Sequence, residues 1–295
     1  MATTPSRILV ATDFSTTADA AETLAFRLAR SLDAELHVVH VRVILEDPLM
    51  AEEHQLEVER LVASTDGAGK RALAEGRTDH DELTVHTHLV RSISAAEAIT
   101  EVASDQACDL VVMGTHGRRG IKHLLLGSVA EHVVRSVRVP VVTVRPDCRL
   151  FSDQPSRMLV AHDFSDQSAD AVRVAGAWAR TFGSEITLLH VVEPVVYPEF
   201  YTFNLASDDI LTRSRDRATE VLDAAAEELL DGLPVNTSVV IGRAADTILS
   251  EAESGDFDLV VMGTRGLSEL EQLVLGSVAE AVLRRCPVPL LTVSS

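Results

Sequence analysis

Residues 114–131 read GTHGRRGIKHLLLGSVAE, and residues 263–280 read GTRGLSELEQLVLGSVAE. Both stretches contain two glycines separated by two residues, then nine residues, then Gly-Ser at the start of a helical pattern. A short apolar run, Asp109–Met113 or Asp258–Met262, comes directly before each stretch and is typical of a buried strand. A strand, a glycine-bearing loop and a helix in this order indicate an open α/β sheet, in which ligands bind at the carboxyl ends of the strands.

The sequence around these stretches is duplicated. Residues 109–144 match residues 258–293 at more than half of their positions without a gap. Residues 7–41 match residues 157–191 at two positions in five, again without a gap. Identity at this level across the two halves of one chain indicates an internal repeat.

Each copy alternates short β-branched runs with helical patterns. We therefore predict two domains, 1–148 and 149–295, and expect each to be a doubly wound α/β fold with a five-stranded parallel sheet. The strands of the first copy are predicted at 8–11, 36–41, 83–90, 109–113 and 141–144. Those of the second copy are predicted at 158–161, 186–192, 235–241, 258–262 and 290–293. The predicted helices are 18–30, 51–75, 95–104, 208–230 and 244–254, with one more before each last strand.

Charge and composition exclude several functions. The chain has 295 residues and a formal charge of −19, from 45 acidic and 26 basic side chains. This negative field repels nucleic acid, so we predict no nucleic-acid partner. No apolar run is long enough to cross a membrane, which predicts no membrane span. The N-terminus has no signal-peptide pattern and the three cysteines lie far apart, so we expect a cytoplasmic protein with reduced thiols.

The glycine-bearing segment offers groups that bind phosphate. Gly114 and Gly117 are expected to allow positive φ and the close approach of a ligand. Gly127 and Ser128 open a helix whose backbone N–H groups and dipole favour a phosphate. Asp13 follows the first strand and would accept hydrogen bonds from ribose hydroxyls or an adenine edge. The remaining candidates are Val129 and, in the second copy, Asp163, Gly263, Gly266, Gly276, Ser277 and Val278.

A structural explanation exists for each of these residues taken singly. Glycines after a strand are often needed only for turn geometry, and Asp13 with Ser15 is typical of a helix cap. The complete spacing occurs twice, each time at the expected edge of a sheet. This recurrence favours nucleotide or phosphate binding.

Both halves resemble the universal stress protein family, and the chain resembles its tandem-domain members over nearly its full length. The Gly-x-x-Gly-nine-Gly-Ser segment marks the ATP-binding branch of that family. The resemblance implies a Rossmann-like, adenine nucleotide alpha hydrolase-like fold. It also implies contacts to adenosine from Ala11, Asp13 and Val41, to ribose and phosphates from Met113, Gly114 and Gly117, and to the phosphate tail from Gly127, Ser128 and Val129. The corresponding residues of the second copy are Ala161, Asp163, Val191, Met262, Gly263, Gly266, Gly276, Ser277 and Val278.

The resemblance implies a function as well as a site. It implies that ATP binds, with Mg²⁺ or Mn²⁺ on its phosphates, and that the protein is a non-catalytic, nucleotide-dependent regulator in stress response. Because the family pairs domains through the last strand, we expect the two halves to form an intramolecular pseudo-dimer, and a homodimer is a further expected assembly. A slow ATPase or autophosphorylating protein, and an interaction module with vestigial sites, are the alternatives.

The two copies differ near the predicted sites. The first nine-residue loop carries Arg118, Arg119, Lys122 and His123, whereas the second carries Glu269 and Glu271, with Arg265 just before it. Because charge-assisted contacts to phosphate are strong, we hypothesise that the first copy binds ATP more tightly. The alternative is that these are solvated loop charges with little effect.

A turn, several histidines and an aromatic segment lead to further expectations. Gly242 follows the third strand of the second copy, where the first copy aligns Ile93, so the two turns should differ. His40 and His190 occupy matching places and are interpreted as satisfied histidines. His86 and His88 have a spacing that suits a metal, but no third ligand is evident, and no metal site is predicted. The aromatic segment Val192–Phe203 is interpreted as a packed loop, with a cover over the second site or a contact to a partner subunit as the alternatives.

Overall fold

The computed structural model describes residues 4–43, 60–61, 63–64, 67, 83–116, 126–194, 207–254, 256–265 and 275–294. Among these residues, the first half of the chain contains five strands and three complete helices. The elements in order are β1 (Arg7–Thr12), α1 (Thr16–Leu32), β2 (Glu35–Val43), β3 (Val85–Ser92), α2 (Ala95–Asp105), β4 (Leu110–Gly114), α3 (Ser128–Ser136) and β5 (Val141–Val144). Most of the helix predicted at 51–75 lies outside the described residues, and its described positions 60, 61, 63, 64 and 67 are helical.

The second half repeats this order. Its elements are β6 (Arg157–Ala161), α4 (Asp166–Phe182), β7 (Glu185–Val192), α5 (Ser207–Leu229), β8 (Val235–Ile241), α6 (Ala244–Glu253), β9 (Leu259–Gly263), α7 (Ser277–Arg285) and β10 (Leu290–Val293). None of the described helices is long and apolar enough to cross a membrane.

The boundaries of α1 and α4 follow from local chemistry. Ser15 caps the start of α1 and Ser165 caps the start of α4, each by accepting a backbone N–H of the first turn. Both helices end at a residue in the left-handed region, Asp33 at φ 52° and Gly183 at φ 70°. Each helix therefore stops at the turn that leads into the next strand.

All ten strands form one sheet, in the order β3-β2-β1-β4-β5-β10-β9-β6-β7-β8. Neighbouring strands are parallel within each half. The predicted α/β class, with two tandem doubly wound five-stranded parallel halves, is therefore confirmed. The strand order reverses between β1 and β4 and between β6 and β9, and a crevice opens at the carboxyl ends of strands at such a switch point.

Helices cover both faces of the sheet. Ile8 and Val10 of β1 pack in one apolar layer with Leu24 of α1, whereas Leu9 packs in the opposite layer with Val133 of α3. The strands can be apolar at consecutive positions because both of their faces are buried.

The two halves meet along β5 and β10. These strands pair antiparallel, with Val142 opposite Leu291, and both side chains are buried. Thr292 Oγ1 donates to the carbonyl of Val141 at 3.2 Å, and Ser294 Oγ donates to that of Val137 at 2.7 Å. The expected pairing through the last strands is thus present within one chain. A homodimer and the domain boundary at 148/149 stay predictions.

Candidate functional site

A tight turn joins β1 to α1 and positions Asp13. Asp13 Oδ1 accepts the backbone N–H of Ser15 at 3.1 Å, and Thr12 Oγ1 accepts that of Phe14 at 3.1 Å. Ser15 Oγ accepts the N–H of Ala18, so the cap that the sequence suggested is present beside the candidate site. Phe14 has φ 61°, a conformation that a non-glycine residue keeps only where its surroundings enforce it.

The second copy builds the same turn with an additional hydrogen bond. Asp163 Oδ1 accepts the N–H of Ser165 at 3.0 Å and its hydroxyl at 2.5 Å, and Phe164 has φ 66°. Burial acts to raise the pKa of Asp163, but the hydrogen bonds from Ser165 and Ser168 outweigh it, and the pKa lies below its usual value. Asp163 is therefore an ionised acceptor at neutral pH.

Two matching histidines hold these turns. His40 Nδ1 lies 2.8 Å from the carbonyl of Thr12, and His190 Nδ1 lies 2.8 Å from that of His162. Since a carbonyl can only accept, Nδ1 carries the proton in both rings. Each ring also packs on the strained phenylalanine, with centroids 4.3 Å apart for Phe14 and 4.2 Å apart for Phe164. The interpretation of both as satisfied histidines is confirmed.

No side chain in the described part of the structure caps the starts of α3 and α7, the helices that follow the glycine segments. Gly127 and Gly276 occupy their N-cap positions and supply no capping oxygen, whereas Ser15, Ser94 and Ser165 cap α1, α2 and α4. The first N–H groups of an α-helix have no acceptor within the helix and lie at the positive end of its dipole. This arrangement suits a phosphate group.

Gly127 contributes close packing rather than a phosphate donor. Its N–H donates to the carbonyl of Thr115 at 2.8 Å, and Gly276 N–H donates to that of Thr264 at 2.8 Å. A Cβ at position 127 would lie 2.9 Å from the Thr115 oxygen. The amide of Gly127 is therefore already engaged, and the contact between Gly127 and the phosphate tail stays a prediction. The amide donors at this helix start belong to Ser128 and the residues after it.

Gly114 also has a different role from the one expected. It is not among the described glycines with positive φ, so that part of the prediction is wrong. A Cβ at position 114 would lie 2.8 Å from Thr17 Cγ2, and one at Gly263 would lie 3.3 Å from the backbone carbon of Gln167. Glycine at the end of β4 therefore lets α1 approach closely.

The predicted apolar contacts lie on one face of the sheet. Ala11 pairs directly with Met113 across β1 and β4. Both pack in the same apolar layer as Val41 and Val129. The second copy brings together the corresponding residues, Ala161, Val191, Met262 and Val278. Gly117, Gly266 and the charged residues Arg118, Arg119, Lys122, His123, Glu269 and Glu271 lie outside the described residues, as does most of the aromatic segment 192–203.

Sequence reasoning missed the strained phenylalanines and the threonines that hold the glycine segments. Both leave a signal in the duplication. Asp-Phe-Ser occurs at 13–15 and at 163–165, and Gly-Thr occurs at 114–115 and at 263–264. Runs of identical residues at the ends of β1 and β4 therefore give a signal for the site in the sequence.

Comparison with known proteins agrees with this geometry. The model of the Universal stress protein family matches residues 5–145 and again residues 155–294. The chain belongs to the universal stress protein family. A universal stress protein of Mycobacterium bovis is 27% identical over 284 residues, which cover 91% of this chain and 92% of the relative. One of Thermus aquaticus is 36% identical over 137 residues, covering 46% of this chain and 96% of the relative.

The fold of the whole chain is similar to that of a solved relative. The crystal structure of a universal stress protein from Archaeoglobus fulgidus superposes with a TM-score of 0.65 and 20% identity, covering 98% of each chain. At this identity the likeness concerns the fold alone.

The two universal stress protein domains differ after the third strand, as Ile93 and Gly242 suggested. In the first, Ser94 Oγ caps α2 by accepting the N–H of Glu97, and Ile93 is exposed. In the second, the cap comes from Glu193, whose carboxylate accepts the N–H of Ala244 at 2.6 Å. A Cβ at Gly242 would lie 2.7 Å from Thr247 Oγ1, so glycine is needed only in this second arrangement.

Proposed function

We propose that each half of the chain binds ATP and that the protein acts as a nucleotide-dependent regulator without catalysing a reaction. The observation that carries the proposal is the pair of uncapped helix starts, α3 and α7, each on the glycine segment that follows a strand at the switch point of the sheet. Every other helix with a described N-cap has a side-chain acceptor at its start. A phosphate chain would supply the missing acceptor.

The groups around the helix start suit the rest of the nucleotide. Ser128 and Ser277 are exposed and offer hydroxyl donors to phosphate oxygens. Asp13 and Asp163 follow the adjacent strand, where a carboxylate accepts from ribose hydroxyls. Half-buried Ala11 and Val41 offer an apolar surface to the adenine ring.

A divalent cation fits this site only as a partner of the nucleotide. Mg²⁺ is commonly held by one or two carboxylates together with substrate phosphates, and it keeps several waters. Because Asp13 and Asp163 are expected at the ribose, phosphate oxygens and water would supply most of the ligands in each half. The cation would neutralise part of the phosphate charge.

The one serine–histidine contact near a described turn is structural and does not form a catalytic pair, and this favours the regulatory role over catalysis. Ser168 Oγ lies 2.7 Å from His162 Nδ1, but the hydroxyl also donates to the carbonyl of Ser165 and accepts the N–H of Asp163. The serine is 3% exposed. A buried hydroxyl held on three sides is a structural group and not a nucleophile.

The test is direct titration of ATP into the full chain in the presence of Mg²⁺. We expect two sites, and we expect Asp13→Asn and Asp163→Asn each to remove about one of them. Thr16→Ala, an exposed substitution in the same turn, is the matched control and should leave both. The bound nucleotide should be recovered as ATP by mass spectrometry. Recovery as ADP with steady phosphate release would support the slow ATPase, and absence of binding would support vestigial sites and refute the proposal.

A further inference from the structure

Three histidines and a glutamate meet on one face of β2 and β3, away from the nucleotide crevice. His37 of β2 pairs with His86 of β3, and Val39 pairs with His88, so the parallel register places the histidines side by side. Glu35 lies two residues before His37 on the same strand and therefore on the same face. These residues lie toward the amino ends of the strands, whereas the candidate nucleotide groups follow the carboxyl ends.

The ligand atoms lie close together. One atom each from Glu35, His37 and His86 all fall within 4.8 Å of one another. Zinc ligands at bond lengths of about 2.0–2.1 Å in a tetrahedral site are roughly 3.3 Å apart, so only a small closing movement is needed. Glu35 is half-buried and His86 is exposed, and both side chains have room to rotate, whereas His37 is fixed in the core.

His37 presents a buried nitrogen that nothing in the described part of the chain satisfies. The residue is 4% exposed, and its Nε2 has no hydrogen-bond partner. The nearest charged atom is Glu35 Oε2 at 3.8 Å, beyond hydrogen-bond distance. Such a nitrogen is costly to bury unless a further partner binds it.

The other nitrogen of His37 is already oriented. Its Nδ1 lies 3.0 Å from His88 Nε2. When His37 Nδ1 donates in this bond, Nε2 keeps its lone pair and faces Glu35 and His86. A hydrogen bond to the second ring nitrogen is the usual way in which proteins fix a metal-binding histidine. His88 is thus a positioning residue.

Electrostatics favour the neutral form of His37 that a metal requires. Burial lowers the pKa of His37, His88 and His86 lower it further, and Glu35 opposes them with a smaller effect. Arg7 lies beside the cluster, and its Nε is 3.2 Å from Glu35 Oε2. Arg7 and Glu35 side chains are each 45% exposed, so their ion pair is screened by water and gives way readily.

We propose that Glu35, His37 and His86 form a binding site for a divalent transition metal, of which Zn²⁺ is the best match, with His88 positioning His37. Two imidazoles and one carboxylate are a donor set that zinc accepts, with water in the fourth position. The second half of the chain lacks the set, since it has Glu185, Thr187, Asn236 and Ser238 at the corresponding positions. The site is therefore specific to the first half and independent of the nucleotide.

The duplication supplies the variants for the test. His37→Thr and His86→Asn introduce the residues that the second half already carries in the same fold. His132→Asn removes a histidine outside the cluster and is the control for surface binding. Zn²⁺ alone is titrated into nucleotide-free full-length protein by competition with a chromophoric chelator, and Co²⁺ alone is used to record the visible absorption of the bound ion.

We expect about one tight Zn²⁺ per chain, a tetrahedral Co²⁺ spectrum, and the loss of both in His37→Thr but not in His132→Asn. His88→Ser should weaken binding about tenfold and move the pH midpoint of binding. A chain that carries Thr187→His and Asn236→His should gain a second ion. Zinc binding that is equal in His37→Thr and the unaltered protein, or an absence of tight binding in the unaltered protein, would overturn the proposal.

Discussion

The close approach of α1 to the end of β4 makes Gly114→Ala a sharp test of why glycine is at this position. The added Cβ would lie 2.8 Å from Thr17 Cγ2, which is 0.6 Å short of the 3.4 Å at which ordinary contact begins. Thr17 is 4% exposed and has little room to move. Overpacking of this kind typically costs about 1–3 kcal/mol. A cost of about 2 kcal/mol would lower Tm by roughly 3 °C in a chain of this size.

The same substitution in the second half is the matched control. The Cβ of Gly263→Ala would lie 3.3 Å from the backbone carbon of Gln167, a contact that a shift of a tenth of an ångström relieves. We expect Gly263→Ala to change the free energy of unfolding by less than about 1 kcal/mol. The difference between the two alanines measures the approach of α1 and not the general effect of replacing glycine.

A double-mutant cycle with Thr17→Ser identifies the contact itself. Serine keeps the Thr17 hydroxyl and removes Cγ2, the atom that the new Cβ would meet. Differential scanning calorimetry on the four proteins should give a coupling free energy of about 1–2 kcal/mol, with Thr17→Ser restoring much of the loss. Equal costs for Gly114→Ala and Gly263→Ala, or no rescue by Thr17→Ser, would refute the steric explanation and favour a backbone one.

Three further outcomes follow from buried groups. Leu291→Ala, at the junction of the halves, should cost about 2–5 kcal/mol in urea unfolding, while exposed Ile93→Ala stays within about 0.5 kcal/mol. Because the pKa of Asp163 is depressed, its contribution to stability is present above the unfolded value of about 3.9 and is lost as pH falls through the folded value. Asp163→Asn should therefore lower Tm at pH 7 and have little effect near pH 2, and an equal loss at both pH values would contradict this. Burial raises the pKa of Cys286 to about 12, so its alkylation at pH 8 should require denaturant, and rapid labelling of the native protein would show that the thiol is accessible.

The sequence was sufficient to predict the architecture because the signals for it are local. Each strand is a short apolar run, and Ser15 caps α1 at the place where an Asp-x-Ser pattern predicts a helix start. Because the sequence is duplicated, each of these local patterns occurs in both halves. The pairing of the two halves through their last strands was expected from the family resemblance, and both strands are buried along their whole length although each contains one threonine.

The details that could not be predicted depend on contacts distant in sequence. His37 and His86 become neighbours only through the parallel register of β2 and β3, and no spacing along the chain shows this. Phe14 adopts positive φ because His40 binds the carbonyl of Thr12 and packs on the Phe14 ring, although phenylalanine alone disfavours that conformation. The N–H of Gly127 is engaged by Thr115, which lies beyond the loop.

Two arginines of α5 in the second half line a cleft that lies apart from the candidate nucleotide groups. A cleft of about 590 Å³ beside the β6–α4 turn is lined by Phe164 and by Arg213 and Arg217 of α5. Phe164 and Leu222 of α5 pack in the apolar layer opposite the one that contains Ala161 and Val191, so this cleft lies across the sheet from the apolar groups of the candidate site. In the first half Arg118 and Arg119 precede the helix start expected to hold the phosphates. Because Coulomb attraction falls with distance and is screened over about 10 Å at 0.1 M salt, only charge near the phosphates adds strongly to ATP affinity. Tighter and more salt-dependent ATP binding by the first half is therefore the expected asymmetry, because the α5 arginines of the second half do not lie beside its candidate phosphate groups.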